Sequence, residues 1–185
     1  MHPPIDALKA LRAGGQSAQL VVAHYAPRLL RFFSHLGEEN SNCEDLTQEV
    51  FLNLVRKKAR YEERGRFAAY IFQVAYCVWV DKRRKRQTAT MPNEELKSIE
   101  RPQDCATLPI QQIIREEDAA RLRAVLRKLP EDQRVICELG LLEEMPYRDI
   151  AKVLGIPEGT VKSRMFAAVR KLKDLLETKV FKAAL

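Results

Sequence analysis

Along the 185-residue chain, apolar side chains return at three- and four-residue steps, and the strict alternation of a half-buried strand is nearly absent. The pattern therefore predicts helices. Ile5, Leu8 and Leu11 make a short amphipathic start that stops at Gly14 and Gly15. Val21, Val22, Tyr25, Leu29, Phe32, Phe33 and Leu36 make a longer stripe that Gly37 ends. Pro27 lies inside it, and a missing N–H there predicts a kink or break. Ser41 followed three residues later by Glu44 reads as a capping box, opening a helix with Leu46, Val50 and Leu54 on one stripe and Phe51 and Val55 beside it. A further helix spans about 67–86, with Phe67, Tyr70, Ile71, Val74 and Val78 on its buried side.

From 88 to 112 the periodicity fails, and Pro92, Pro102 and Pro109 punctuate the segment. It reads as a flexible linker, and an acidic one, with Glu94, Glu95, Glu100 and Asp104 against Lys97 and Arg101. Helical spacing resumes near Ile113. Leu122, Val125, Leu126 and Leu129 form a helix ending before Pro130. Val135, Ile136, Leu139 and Leu142 form a second. Ile150, Ala151 and Leu154 form a short third, and Val161, Met165, Leu172 and Leu175 a fourth. The expected fold is all-α, with two small helical domains (1–87 and 113–185) joined by the flexible acidic linker at 88–112.

Charge sharpens this picture. Lys and Arg number 32 against 25 Asp and Glu, a formal net charge of +7, so the acidic linker leaves the excess in the flanking domains. An apolar fraction of 46% is too high for a wholly disordered chain. No uncharged run approaches the roughly 20 residues of a membrane helix, and the first ten residues lack the apolar core of a signal peptide. The chain is expected in the cytoplasm, without membrane insertion. Cys43, Cys77, Cys105 and Cys137 form no C-x-x-C pair, and none has a histidine three to five residues away. That spacing argues against a metal site and a disulfide framework; three thiols fall in helices and one in the linker.

Two positive clusters carry the candidate chemistry. The first is in residues 147–173, where seven basic residues oppose Asp149 and Glu158. A short helix meets Gly155, which suits a left-handed turn, and a second helix follows Ile156 and Pro157. Ala151 is small where the helices must cross, while Ile150, Leu154, Ile156 and Val161 can fill the crevice between them. This is the spacing of a helix-turn-helix, whose second helix sets its first residues against base edges in the major groove. Those residues are Glu158, Gly159, Thr160, Lys162, Ser163 and Arg164. A solvated basic face would match in charge, but charge alone does not produce the Ala-Gly-Val spacing. The second cluster is the pentabasic run at 82–86, after a helix carrying Phe67, Tyr70, Phe72, Tyr76 and Trp79. Cations hold phosphates without reading sequence, and exposed aromatics stack on unpaired bases. Phe72, Tyr76 and Trp79 share a face that serves either stacking or packing against another helix.

The order of these parts resembles the bacterial sigma factors of the extracytoplasmic-function type, within the sigma-70 family. Tyr-Ala-Pro-Arg-Leu-Leu at 25–30, Asp-Leu-Thr-Gln-Glu-Val-Phe at 45–51 and the segment 67–75 resemble the family's region two. Leu-Pro-Glu-Asp-Gln-Arg at 129–134, Tyr-Arg-Asp-Ile-Ala at 147–151 and Gly-Thr-Val-Lys-Ser-Arg at 159–164 resemble its region four. The resemblance implies a subunit that binds core RNA polymerase and directs it to promoters, with no catalytic activity or cofactor of its own. It implies polymerase contacts by Asp45, Gln48, Glu49 and Asn53. It implies capture of a melted minus-ten element by Tyr61, Arg64, Arg66, Tyr76, Lys82, Arg83 and Arg84. It implies duplex readout of the minus-thirty-five element by Thr160, Lys162, Ser163, Arg164, Phe166 and Arg148. Family members are commonly held inactive by an anti-sigma factor, and the linker would run near the path of nascent RNA.

The chain departs from the family pattern at Cys77, where Asn is frequent, at Gln73, where a cation is, and at Tyr70, where Trp is. Ala167 and Val169 stand where the recognition helix usually carries cations, a loss that weakens phosphate binding. Two other readings remain at this point. One is a dimeric helix-turn-helix regulator of duplex operators that is indifferent to polymerase, which leaves 45–51 and the aromatic-basic helix unused. The other is a basic nuclease, for which no paired histidines, metal-ligand cluster, phosphate loop or nucleophile motif speaks.

Overall fold

A computed structural model describes residues 7–56, 67–89 and 124–183, with side chains given up to 86 and 175 in the last two stretches. Among these residues there are helices and no strands. The sequence readings at Ile5, Tyr61, Arg64, Arg66, Cys105, Ile113 and Leu122, and nearly all of the linker, lie outside the described residues. Two compact units form. The first takes in the N-terminal helices apart from Ser34–Gly37; the second takes in Ser34–Gly37 and the described residues from 124 onward.

In the first unit, α1 (Ala7–Ala13) and α2 (Gly15–Leu36) meet at Gly14 and Gly15, whose φ values of 74° and 66° are the left-handed geometry that glycine takes without a steric cost. The expected break at Pro27 does not occur, and α2 runs through it. The apolar stripe on both sides explains this: Val21, Tyr25, Leu29, Phe32 and Phe33 are buried. Pro27 itself faces solvent with Ala23, so water can reach the carbonyl four residues back, which the proline leaves without a donor. Helix α3 spans Asn40–Arg56. Ser41 therefore sits inside its first turn rather than before it, and the predicted capping box is not the start of the helix. The ladder already begins when the Cys43 amide donates to Glu39 O at 2.9 Å.

Helix α4 (Phe67–Ala89) packs along α3 and continues two residues past the expected domain end at 87. Its buried face differs from the predicted one. Phe72 and Trp79, grouped above as possible base-stacking rings, are buried with Phe67, Ile71, Ala75 and Val78, while Tyr70 and Val74 are only half-buried. Two aromatic edges tie this core together, Tyr25 on Phe67 at 5.2 Å and Phe32 on Phe72 at 5.3 Å between ring centroids.

In the second unit, a helical turn at 124–126 leads to Pro130 and α5 (Glu131–Cys137). Arg134 explains part of the motif at 129–134. Its Nε donates to Leu126 O, and Nη2 to the carbonyls of Arg127 and Leu129, at 3.0–3.1 Å. The guanidinium thus satisfies carbonyls that the end of a helix leaves open. A π-helical turn (Glu138–Leu142) extends α5, and Leu142, expected in the core, is exposed. Helix α6 (Tyr147–Leu154) ends at Gly155 with φ 66°, and α7 (Glu158–Ala183) follows. Ile150 and Val161 fill the crevice between them, as the spacing predicts. Leu154 and Ile156 are only half-buried there, and Val153 is buried instead.

Candidate nucleic-acid interfaces

The second helix of the helix-turn-helix has one exposed side. Lys162, Ser163 and Phe166 are exposed in the first two turns of α7, Thr160 and Arg164 are half-buried, and Val161, Met165 and Ala168 anchor the opposite side in the core. Phe166 is 74% exposed, the most open large apolar side chain among the described residues. The ring therefore adds nothing to the packing of the core on the other side of the helix.

The polar groups around it are not idle. Lys162 Nζ pairs with Glu158 Oε1 at 2.9 Å, one turn back. The Ser163 hydroxyl donates to Thr160 O at 3.0 Å. Arg164 Nε lies 3.4 Å from Asp132 Oδ2 on α5. On α6, Arg148 and Lys152 each reach the buried Asp149 carboxylate at 3.9 Å. Every cation here is at or near the surface, so the pairs are weak, and phosphates can compete for them. The acidic partners were the part that sequence reading missed. Glu158 stood four residues before Lys162 and was legible as a helix pair; Asp132, thirty-two residues from Arg164, was not.

The second interface lies on α4. Trp79, 2% exposed, donates its indole N–H to Glu38 Oε1 at 3.0 Å, and Arg86 donates to Glu38 Oε2 at the same distance. The Glu38 carboxylate is buried and holds one ring and one cation of the pentabasic run in the fold. Arg83 stacks over the outer side of Trp79, 5.0 Å from its centroid. Tyr76, half-buried, is the predicted stacking residue that keeps some exposure, 6.0 Å from Trp79. Arg84 is exposed and lies 3.6 Å from Asp81. Lys82 is the more sheltered cation and reaches Asp45 Oδ2 on α3 at 3.9 Å. The structure thereby brings together two residues assigned above to different partners. From Asp45, the exposed face of α3 continues through Gln48 and Glu49 to Leu52 and Val55, while Asn53 is half-buried.

Comparison with known proteins matches both halves of the chain to family models. The family model described as Sigma-70 region 2 matches residues 21–89, and that described as Sigma-70, region 4 matches residues 119–172. The chain belongs to the sigma-70 family. The relatives are of the extracytoplasmic-function branch. The ECF RNA polymerase sigma factor ShbA of Streptomyces griseus is 28% identical over 179 residues, covering 91% of this chain and 92% of that one. The ECF RNA polymerase sigma factor RpoE of Cereibacter sphaeroides is 27% identical over 152 residues, covering 82% and 81%. Two solved structures share the fold. CnrH in complex with the cytosolic domain of CnrY has a TM-score of 0.67 at 20% identity, covering 96% of this chain and 99% of that one. RpoE of Bartonella quintana in complex with the anti-sigma factor NepR has a TM-score of 0.65 at 24% identity, covering 88% and 98%.

This sigma factor acts in promoter-specific transcription initiation with core RNA polymerase. A regulator that binds operators independently of polymerase is not favoured, since the region-2 match covers the very segments such a protein would leave unused. Among the described residues no cluster of three or more His, Cys, Asp or Glu could hold a metal, and no helix is long and apolar enough to cross a membrane.

Proposed function

We propose that the two interfaces divide the promoter between them. The helix-turn-helix reads the minus-thirty-five element as duplex, with Lys162, Ser163, Arg164 and Phe166 toward base edges and Thr160 and Arg148 toward the backbone. Helix α4 serves the minus-ten element. There Lys82, Arg83 and Arg84 hold phosphates and Tyr76 offers its exposed edge to an unstacked base; Tyr61, Arg64 and Arg66 complete the assignment from sequence. Asp45, Gln48, Glu49 and Asn53 bind core polymerase through an acidic and polar face that suits a basic partner helix. The observation that carries this reading is the exposed Phe166 between Lys162, Ser163 and Arg164 on a helix whose other side is locked in the core. The acidic segment at 88–112 joins domains at 1–87 and 113–185 and stays off DNA.

The same reading gives the chain no catalysis, metal or cofactor, and places it in the cytoplasm with polymerase on the nucleoid. An anti-sigma factor covering its DNA-binding surfaces is the proposed regulator, supported by two relatives whose solved structures are complexes, one with a cytosolic domain and one with an anti-sigma factor. Transcription by purified core polymerase with and without the chain tests the function. Initiation at one defined start site, dependent on the chain, is expected. Operator binding with no effect on polymerase would overturn the reading.

A further inference from the structure

Arg164 is held from the side by a residue outside the helix-turn-helix. Asp132 sits in the first turn of α5, where Oδ1 accepts the Gln133 backbone N–H at 2.9 Å and Oδ2 faces Arg164 Nε at 3.4 Å. Among the described residues this carboxylate is the one ion-pair partner of Arg164. Its mount is rigid. Val135 and Ile136 of α5 and Val161, Met165 and Ala168 of α7 are all buried, and the two helices pack directly on one another.

The geometry has a chemical consequence. An arginine recognises guanine through two parallel donors. A carboxylate at Nε engages the stem side of the guanidinium and leaves Nη1 and Nη2, the opposite edge, to do this. A free arginine loses rotamer freedom when it is fixed on a base, and one already held loses less. The same carboxylate carries a negative charge beside the surface that phosphates approach, which weakens binding that does not depend on sequence. The first effect acts toward discrimination, while the second lowers affinity for every sequence alike.

We infer that Asp132 is a positioning residue for promoter specificity, which orients Arg164 for base readout. The inference rests on the proposed reading of the minus-thirty-five element by α7, and the experiment separates the two. Holoenzyme reconstituted with core polymerase is bound to promoter fragments whose upstream element is intact or scrambled, and the affinity ratio is read for wild type, Asp132→Ala, Asp132→Asn, Arg164→Ala and the Asp132→Ala/Arg164→Ala pair.

Arg164→Ala is expected to lower the ratio about tenfold, the scale of one base contact. Asp132→Ala should lower it about threefold to fivefold, the scale of an exposed ion pair. Asp132→Asn, which keeps the acceptor toward Gln133, should fall between Asp132→Ala and wild type. In the Arg164→Ala background, Asp132→Ala should no longer weaken binding to the intact element. Thermal unfolding of each variant separates specificity from a structural role at the start of α5. A lowered melting temperature with an unchanged ratio overturns the inference, as does an equal loss with and without Arg164. A ratio that Arg164→Ala does not change overturns the reading of α7 itself, and the inference with it.

Discussion

Phe166 and Cys137 are opposite cases of one side chain against its surroundings. Phe166 has no packing to lose, so Phe166→Ala should leave the melting temperature unchanged within about 0.5 kcal/mol of stability. If the ring meets a thymine methyl, the same substitution should cost roughly 1 kcal/mol of discrimination at one position, read by binding to single-base promoter variants. A uniform loss across all variants would show that it only fills space. For Cys137, burial first and the neighbouring Glu138 charge second push the thiol up to about 11. Below pH 9 it stays protonated and unreactive. Cys77 is exposed and Cys43 buried. Iodoacetamide at pH 8 should therefore modify Cys77 in the native protein, and Cys43 and Cys137 only after unfolding, as peptide mass spectrometry would show. The raised thiol also has a stability consequence. The folded state keeps its proton where the unfolded state gives it up, so this contribution is intact below about pH 9 and is lost as the pH rises toward 11. A denaturation midpoint that rose over that window would contradict it.

At the scale of elements, what could be read from sequence followed the distance over which the signal acts. Helix α6 falls on the expected residues and Gly155 takes the left-handed turn expected of it, because both depend on neighbours within one turn. The failures came where a distant group decides. Pro27 reads as a breaker locally, but the buried stripe of α2 holds the helix through it. Trp79 shares a helical face with Tyr76, and nothing in the spacing reveals that Glu38, forty-one residues earlier, accepts its indole N–H. That carboxylate joins the entry of α3 to the basic end of α4. Its removal strands a buried indole donor and takes one carboxylate partner from Arg86, so Glu38→Ala should cost roughly 2–3 kcal/mol in chemical denaturation. Glu38→Gln retains an acceptor for Trp79 and should cost less than half as much. Equal losses would place the energy in the Arg86 ion pair alone.

For the whole molecule, the net charge of +7 is less informative than its arrangement, in which cations at two interfaces are interleaved with carboxylates that hold them. The pair of Lys82 and Asp45 makes this consequential, since one belongs to the proposed DNA surface and the other to the proposed polymerase surface. Asp45→Lys inverts the charge offered to a basic partner and also sets two cations side by side. Asp45 is exposed, so neither change should disturb the fold by more than about 0.5 kcal/mol. Co-purification with core polymerase should be lost for Asp45→Lys and weakened for Asp45→Asn, which removes the charge without adding a repulsion. Adding Lys82→Ala to Asp45→Lys relieves the repulsion between the two lysines. If core binding returns in that double variant, the defect ran through Lys82 and the assignment of Asp45 to polymerase fails. If it stays lost, the acidic face of α3 itself meets the polymerase.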